Sequence, residues 1–97
     1  MPPPETSTQT LMRLAKARQG IPSNYKLRQV LQVCEPTVTR WNQGRGAPTN
    51  ALAIRMARMA EIDPALVLAR ISADRAQDEE EREIWLHVVA RLSAEGV

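Results

Sequence analysis

Phenylalanine is absent, histidine and cysteine occur once each, and tryptophan and tyrosine together supply three side chains among 97 residues. These shortages exclude several kinds of chemistry. One cysteine, Cys34, permits no internal disulfide and fits a reducing, cytoplasmic setting. His87 has no cysteine or second histidine at ligand spacing, so no metal site is expected. No Ser/His/Asp set and no glycine-rich phosphate loop stands out. The run Glu79-Glu80-Glu81 resembles neither a paired-carboxylate site nor a metal cage and reads as a solvated first turn of a helix. The reading is therefore a protein that is not an enzyme, with no cofactor and no small-molecule substrate. No apolar run approaches the length of a membrane span, so no membrane partner is expected. The opening "MPPPETSTQT" lacks the basic and apolar blocks of a signal peptide, and residues 1–5 read as a disordered tail.

What is present is unevenly placed charge. Residues 1–58 carry nine Lys or Arg against Glu5 and Glu35, whereas residues 59–97 carry four Arg against nine acids, so the two parts hold +7 and −5. A basic body with an acidic end suggests a polyanion partner for the first part, although lopsided solvated faces are common in helical proteins.

Helix formers dominate and no stretch alternates with period two, which predicts an all-α chain. Thr6 or Ser7 caps a first helix to about Arg18, with Leu11, Leu14 and Ala15 as its apolar stripe. Ser23 or Asn24 caps a second over about 24–32, with Leu27, Val30 and Leu31 inward. A tight turn at Val33-Cys34 leads to a third over about 35–43, with Pro36 in its first turn and Gly44 as its stop. Thr49 or Asn50 caps a fourth to about Glu61, with Leu52, Ala53, Met56, Met59 and Ala60 as core. Asp63-Pro64 starts a fifth to about Asp74, and a sixth begins near Asp78, its acids favoured by the positive end of the helix dipole. These elements divide into a compact five-helix domain over residues 6–74 and an acidic linker with a C-terminal helix over 75–97.

The stretch "VCEPTVTRWNQGRGAP" (residues 33–48) carries the functional signal. At about 100° per residue, Val38 and Trp41 fall on one side of the third helix, and Pro36, Thr39, Arg40 and Gln43 fall opposite. Two large anchors therefore hold a helix whose outward face is short, polar and partly basic. Trp41, on the anchoring side, is core rather than a base-stacking platform. The preceding helix, joined by a tight turn, supplies Leu27 and Leu31 as packing partners. That is the layout of a helix-turn-helix, in which one helix braces and a second enters the major groove.

The stretch "YKLRQVLQVCEPTVTRWNQGRGAP" resembles the helix-turn-helix of the Cro/CI-type (Xre-like) DNA-binding proteins, and "ALAIRMARMAEIDPALVL" resembles their fourth helix and the start of their fifth. The resemblance covers about residues 8–72, and the small size resembles regulators of phages and prophages. It departs from the family at two places: Arg28 stands where a small residue is usual, and Gln32 where the turn usually has Gly. Arg28 would have to snorkel past the adjoining helix, and Gln32 would have to accept a strained or altered turn. By position in the motif, Glu35, Pro36, Thr37, Thr39 and Arg40 would face base edges. Arginine offers guanine two parallel hydrogen bonds, so Arg40 is the leading candidate; a phosphate contact or a solvated side chain is the alternative. Ser23, Asn24 and Lys26 open the bracing helix, whose free N–H groups suit a phosphate. Gln43, Gly44 and Arg45 close the reading helix, where the family also holds the DNA backbone. Cys34 stands where a small capping residue is usual and reads as structural.

The implied partner is double-stranded DNA, and the implied function is a sequence-specific transcriptional regulator, a phage-type repressor acting as a homodimer on a palindromic operator. Ile84, Trp85, Val88, Val89 and Leu92 form the candidate dimer seam; folding back onto the chain's own core or binding another protein are the other uses of that stripe. The rival reading is a protein-interaction module, antitoxin-like or an adaptor, acting through the acidic last helix.

Overall fold

The computed structural model describes residues 4–95, and six α-helices account for the regular structure there. Helix α1 is Ser7–Gln19, α2 Asn24–Leu31, α3 Glu35–Asn42, α4 Asn50–Met59, α5 Pro64–Arg75 and α6 Glu79–Glu95. No strand occurs among the described residues. No helix of the structure is long and apolar enough to cross a membrane.

The caps follow the side chains that specify them. Thr6 accepts from the Gln9 N–H while the Gln9 side chain accepts from the Thr6 N–H, a reciprocal box that satisfies two otherwise unpaired donors. Ser23, Thr49 and Asp63 cap α2, α4 and α5 through their side-chain oxygens. Asp78 accepts from the Glu81 N–H at 2.8 Å and so opens α6. Gly20 takes the left-handed conformation that ends α1.

One core joins the first five helices. Leu11, Met12 and Ala15 of α1 meet Leu27 and Leu31 of α2, Val38 and Trp41 of α3, Ala53, Met56 and Ala57 of α4, and Val67 and Ile71 of α5. Met12 and Ala57 join this core although the apolar stripes did not single them out, and Leu14, Leu52 and Met59 are only partly buried. Helix α6 packs chiefly on α5. Ala69 and Ala73 of α5, one helical turn apart, and Val89 of α6 are all buried.

Of the tail expected over residues 1–5, residues 1–3 lie outside the described residues, as do residues 96 and 97 of the C-terminal segment. Glu5 is described and is tied down: it accepts from Thr10 at 2.7 Å and pairs with Arg13 at 3.1 Å. Those donors hold its carboxyl below the usual carboxylate range, the Arg13 hydrogen bond contributing most.

Candidate nucleic-acid interface

Helix α3 is held by two side chains. Val38 and Trp41 are 4% and 3% exposed, and the remaining residues of the helix lie at the surface or half-buried. Glu35, Pro36, Thr39 and Arg40 are all exposed, so four of the five residues assigned to base edges share one open face. Thr37 is turned away from it. Its hydroxyl lies 3.0 Å from Cys34 Sγ, and the residue is half-buried. That hydroxyl, as a donor to the thiolate, holds the Cys34 pKa below the ordinary thiol value, with the Arg28 charge adding a smaller push the same way. Cys34 is the N-cap of α3 by backbone conformation, but its side chain makes no cap hydrogen bond.

The turn between α2 and α3 bears the strain that its sequence implies. Gln32 has φ 58° and ψ 44°, a left-handed conformation at which glycine carries no penalty. Its N–H, with Arg28 and Gln29 carbonyls as acceptors, closes α2. Arg28 turns its head group onto its own helix. The guanidinium lies 5.0 Å from the centroid of the Tyr25 ring, and the residue is half-buried. Its Nε is buried without a hydrogen-bond partner. Arg28 and Tyr25 line a groove with Asn24, Glu35, Val38 and Thr39 between the two helices. Tyr25, 62% exposed, was not among the site residues read from the motif; an aromatic side chain on the first turn of the bracing helix is the signal that marks it.

The start of α2 is partly committed. Ser23 Oγ accepts from the Lys26 N–H at 3.1 Å, and Asn24 Oδ1 accepts from Lys16 Nζ at 2.6 Å. Lys26 is exposed beside them. At the other end of α3, Gly44 and Gly46 have φ of 80° and 70°. The Arg45 N–H returns to the Arg40 carbonyl at 2.8 Å, and the Arg45 guanidinium donates to the Gln43 side chain. The Arg40 guanidinium leans back over this loop: a Cβ on Gly46 would sit 3.5 Å from its Nη2. Helix α1 pins the same end, because Gln9 Nε2 donates to the Asn42 carbonyl at 2.9 Å. Arg40, Gln43, Gly44 and Arg45 therefore lie together, while Ser23, Asn24 and Lys26 lie at the start of the bracing helix.

The candidate seam on α6 is divided by the fold. Val89 is 8% exposed and committed to the chain's own α5, Trp85, Val88 and Leu92 are half-buried, and Ile84 is 59% exposed. Trp85 Nε1 donates to Glu81 at 3.3 Å on the same helix. Folding back onto the chain covers Val89 fully and Trp85, Val88 and Leu92 in part, and it leaves Ile84 exposed. Leu86, 44% exposed, lies outside the stripe.

No group of three or more His, Cys, Asp or Glu that could hold a metal ion occurs among the described residues. No protein-family model matches the chain, and no curated protein or solved structure matches it either.

Proposed function

We propose that this chain is a sequence-specific double-stranded DNA-binding regulator that reads a major groove with α3. The observation that carries the reading is the asymmetry of that helix: two deeply buried anchors on one side, and Glu35, Pro36, Thr39 and Arg40 exposed together on the other. A face about one helix wide, polar and ended by Arg40 and Arg45, matches what a major groove admits and what guanine and phosphate accept. The resemblance of residues 8–72 to Cro/CI-type proteins supports the same reading.

In this reading Arg40 reaches guanine from the C-terminal half of α3, and Arg45 and Lys26 hold phosphates on either side. Repression follows from occupying an operator that polymerase must use, as in a phage-type regulator. A single short helix spans few base pairs, so a second copy on a second half-site completes the specificity. The exposed Ile84, flanked by half-buried Val88, is the apolar surface that α5 leaves for that copy.

The experiment is enrichment of duplexes from a random pool at near-physiological salt, followed by titration of the enriched and a scrambled duplex. A short palindrome should emerge. Arg40→Ala should then cost about 1–3 kcal/mol at one base position only. Arg45→Ala should weaken both duplexes alike. Equal affinity of the wild type for both duplexes would sink the sequence-reading claim.

One observation favours a second reading. Helix α6 exposes Ile84 beside a run of acids, a surface suited to a basic protein partner. Failure of the folded protein to bind any duplex would shift the reading to an interaction module acting through residues 78–97.

A further inference from the structure

Four element ends meet at one corner of the molecule: the start of α1, the loop after α3, the end of α5 and the start of α6. Three hydrogen bonds tie the first three of them. Gln9 Nε2 donates to the Asn42 carbonyl, the Ser7 N–H donates to Asp74 Oδ2 at 3.0 Å, and the Arg75 guanidinium donates to the Pro48 carbonyl. Between these ends runs an open groove lined by Thr6, Gly44, Gly46, Asp74, Arg75 and Arg82. Arg82 belongs to the segment whose net charge is −5, yet it opens onto the loop that carries Arg45 and lies under the Arg40 guanidinium.

Among the residues that line this groove, Arg75 and Arg82 outnumber the one acid, Asp74. The Asp74 carboxylate is engaged by the Ser7 N–H, and Arg75 directs a guanidinium nitrogen at Pro48. Arg82 is exposed, and its side chain has no ion pair or hydrogen bond among the described residues. At about 100° per residue, Arg82 is turned roughly 100° from Glu81 and Glu83 and roughly 160° from Glu80, so most acids of α6 face elsewhere. Glu81 is in any case engaged by Trp85 Nε1. Asp78, the cap of α6, and Glu79 are the acids nearest to Arg82, roughly 40° and 60° away; the Asp78 carboxylate accepts from the Glu81 N–H. The floor of the groove lacks side chains at Gly44 and Gly46, so an extended polyanion can come close to the backbone there.

We infer that Arg82, backed by Arg75, holds a phosphate of the DNA strand that passes the loop after α3, so that the start of α6 is part of the duplex interface. The inference rests on the DNA-binding reading of α3. It gives the acidic C-terminal segment a share in DNA binding through one arginine, and it makes the basic rim run Arg40, Arg45, Arg82, Arg75 around a glycine loop. A phosphate contact carries no base information, so its signature is salt dependence rather than sequence preference.

The test titrates the full chain with an enriched duplex and a scrambled duplex over a range of salt, for the wild type, R82Q, R82K and R70Q. Arg70 is exposed on α5 and lines a different groove, with Leu14, Ile62 and Leu66. R82Q should flatten the slope of log affinity against log salt by about 0.9, the share of one phosphate. It should weaken both duplexes by the same factor. R82K should keep the wild-type slope, and R70Q should match the wild type. An R82Q slope equal to that of a DNA-binding wild type overturns the inference and leaves the DNA reading standing. Flattening by R82K as large as by R82Q overturns it too, since charge neutralisation is the stated cause. A folded wild type that binds neither duplex overturns both. If R82Q does not fold, amide NMR of the wild type decides: Gly46 and Arg82 signals should move together as duplex is added, and an unmoved Arg82 counts against the contact.

Discussion

Helices α3 and α6 hold comparable apolar side chains to opposite effect. The eight residues of α3 bury two of them almost completely, because those two enter the core shared with α1, α2, α4 and α5. The seventeen residues of α6 include Ile84, Trp85, Leu86, Val88, Val89 and Leu92, yet only Val89 is fully covered, because α5 is the main support. A stripe of apolar residues shows which side of a helix turns inward. How deeply it is buried depends on how many elements close over it, and that is a property of the neighbours.

The contrast yields its largest expected effect in paired tryptophan variants. Trp41→Ala should cost about 3–5 kcal/mol, as truncation of a core aromatic does, and leave little of the stability of a domain this small. Trp85→Ala should cost roughly half as much, since its ring is only half-buried. Thermal melts followed by far-UV circular dichroism check both. Equal losses would mean that α6 is as tightly integrated as α3, which would break the comparison.

A smaller effect, of opposite sign, belongs to the turn that sets α3 against α2. Gln32→Gly removes the left-handed penalty of a side-chain-bearing residue, about 1–2 kcal/mol, and returns part of it as entropy of the unfolded chain. The net expectation is a gain of about 0.5–1 kcal/mol, seen as a rise of a few degrees in the melting temperature. A loss would show that the Gln32 side chain stabilises the turn through contacts worth more than its strain.

The chemistry at the N-terminus of α3 sharpens the comparison without touching stability much. Cys34 should alkylate with iodoacetamide at lower pH than an ordinary thiol, because the Thr37 hydroxyl stabilises the thiolate. Thr37→Val should shift that alkylation profile upward. An unchanged profile would mean that the Arg28 charge, rather than Thr37, dominates at this cap.

The smallest effect lies at the other end of the basic half. Glu5 is held below its ordinary value of 4.5 by Arg13 and Thr10. Its stabilising contribution is therefore present above that value and is lost as pH falls through the lower, folded one. Both partners are exposed, so screening keeps the contribution slight. Glu5→Gln should remove a shallow pH dependence of the melting temperature below about pH 4.5 and leave neutral-pH stability nearly unchanged.

The cap at Asp63, the caps of α1, α2 and α4 to within one of two adjacent residues, the stop near Gly44, and the inward pair Val38 and Trp41 were legible in the chain, because each rests on interactions within about four residues. The exposed face of α3 was legible for the same reason. Thr37 was not: its position in the motif put it among the base-edge residues, whereas its hydroxyl meets the Cys34 thiol at the cap of the same helix. The cation–π pair of Arg28 and Tyr25 and the lean of Arg40 over Gly46 depend on rotamers that spacing does not select. Arg82 escaped because a charge tally along the chain averages it with its acidic neighbours.

By itself, the sequence determined that this protein is all-α, where its six helices begin, where the first five end to within about two residues, and which two residues anchor α3. Those features arise from hydrogen bonds and side-chain periodicity over one or two turns. Only the tertiary structure decided that Val89 belongs to the chain's own core, that Asp74 reaches Ser7 across the molecule, and that Arg75 and Arg82 join the loop after α3. Those contacts link residues far apart in the chain, 67 positions in the case of Ser7 and Asp74. Which of them forms is settled by how the helices stack around a shared core.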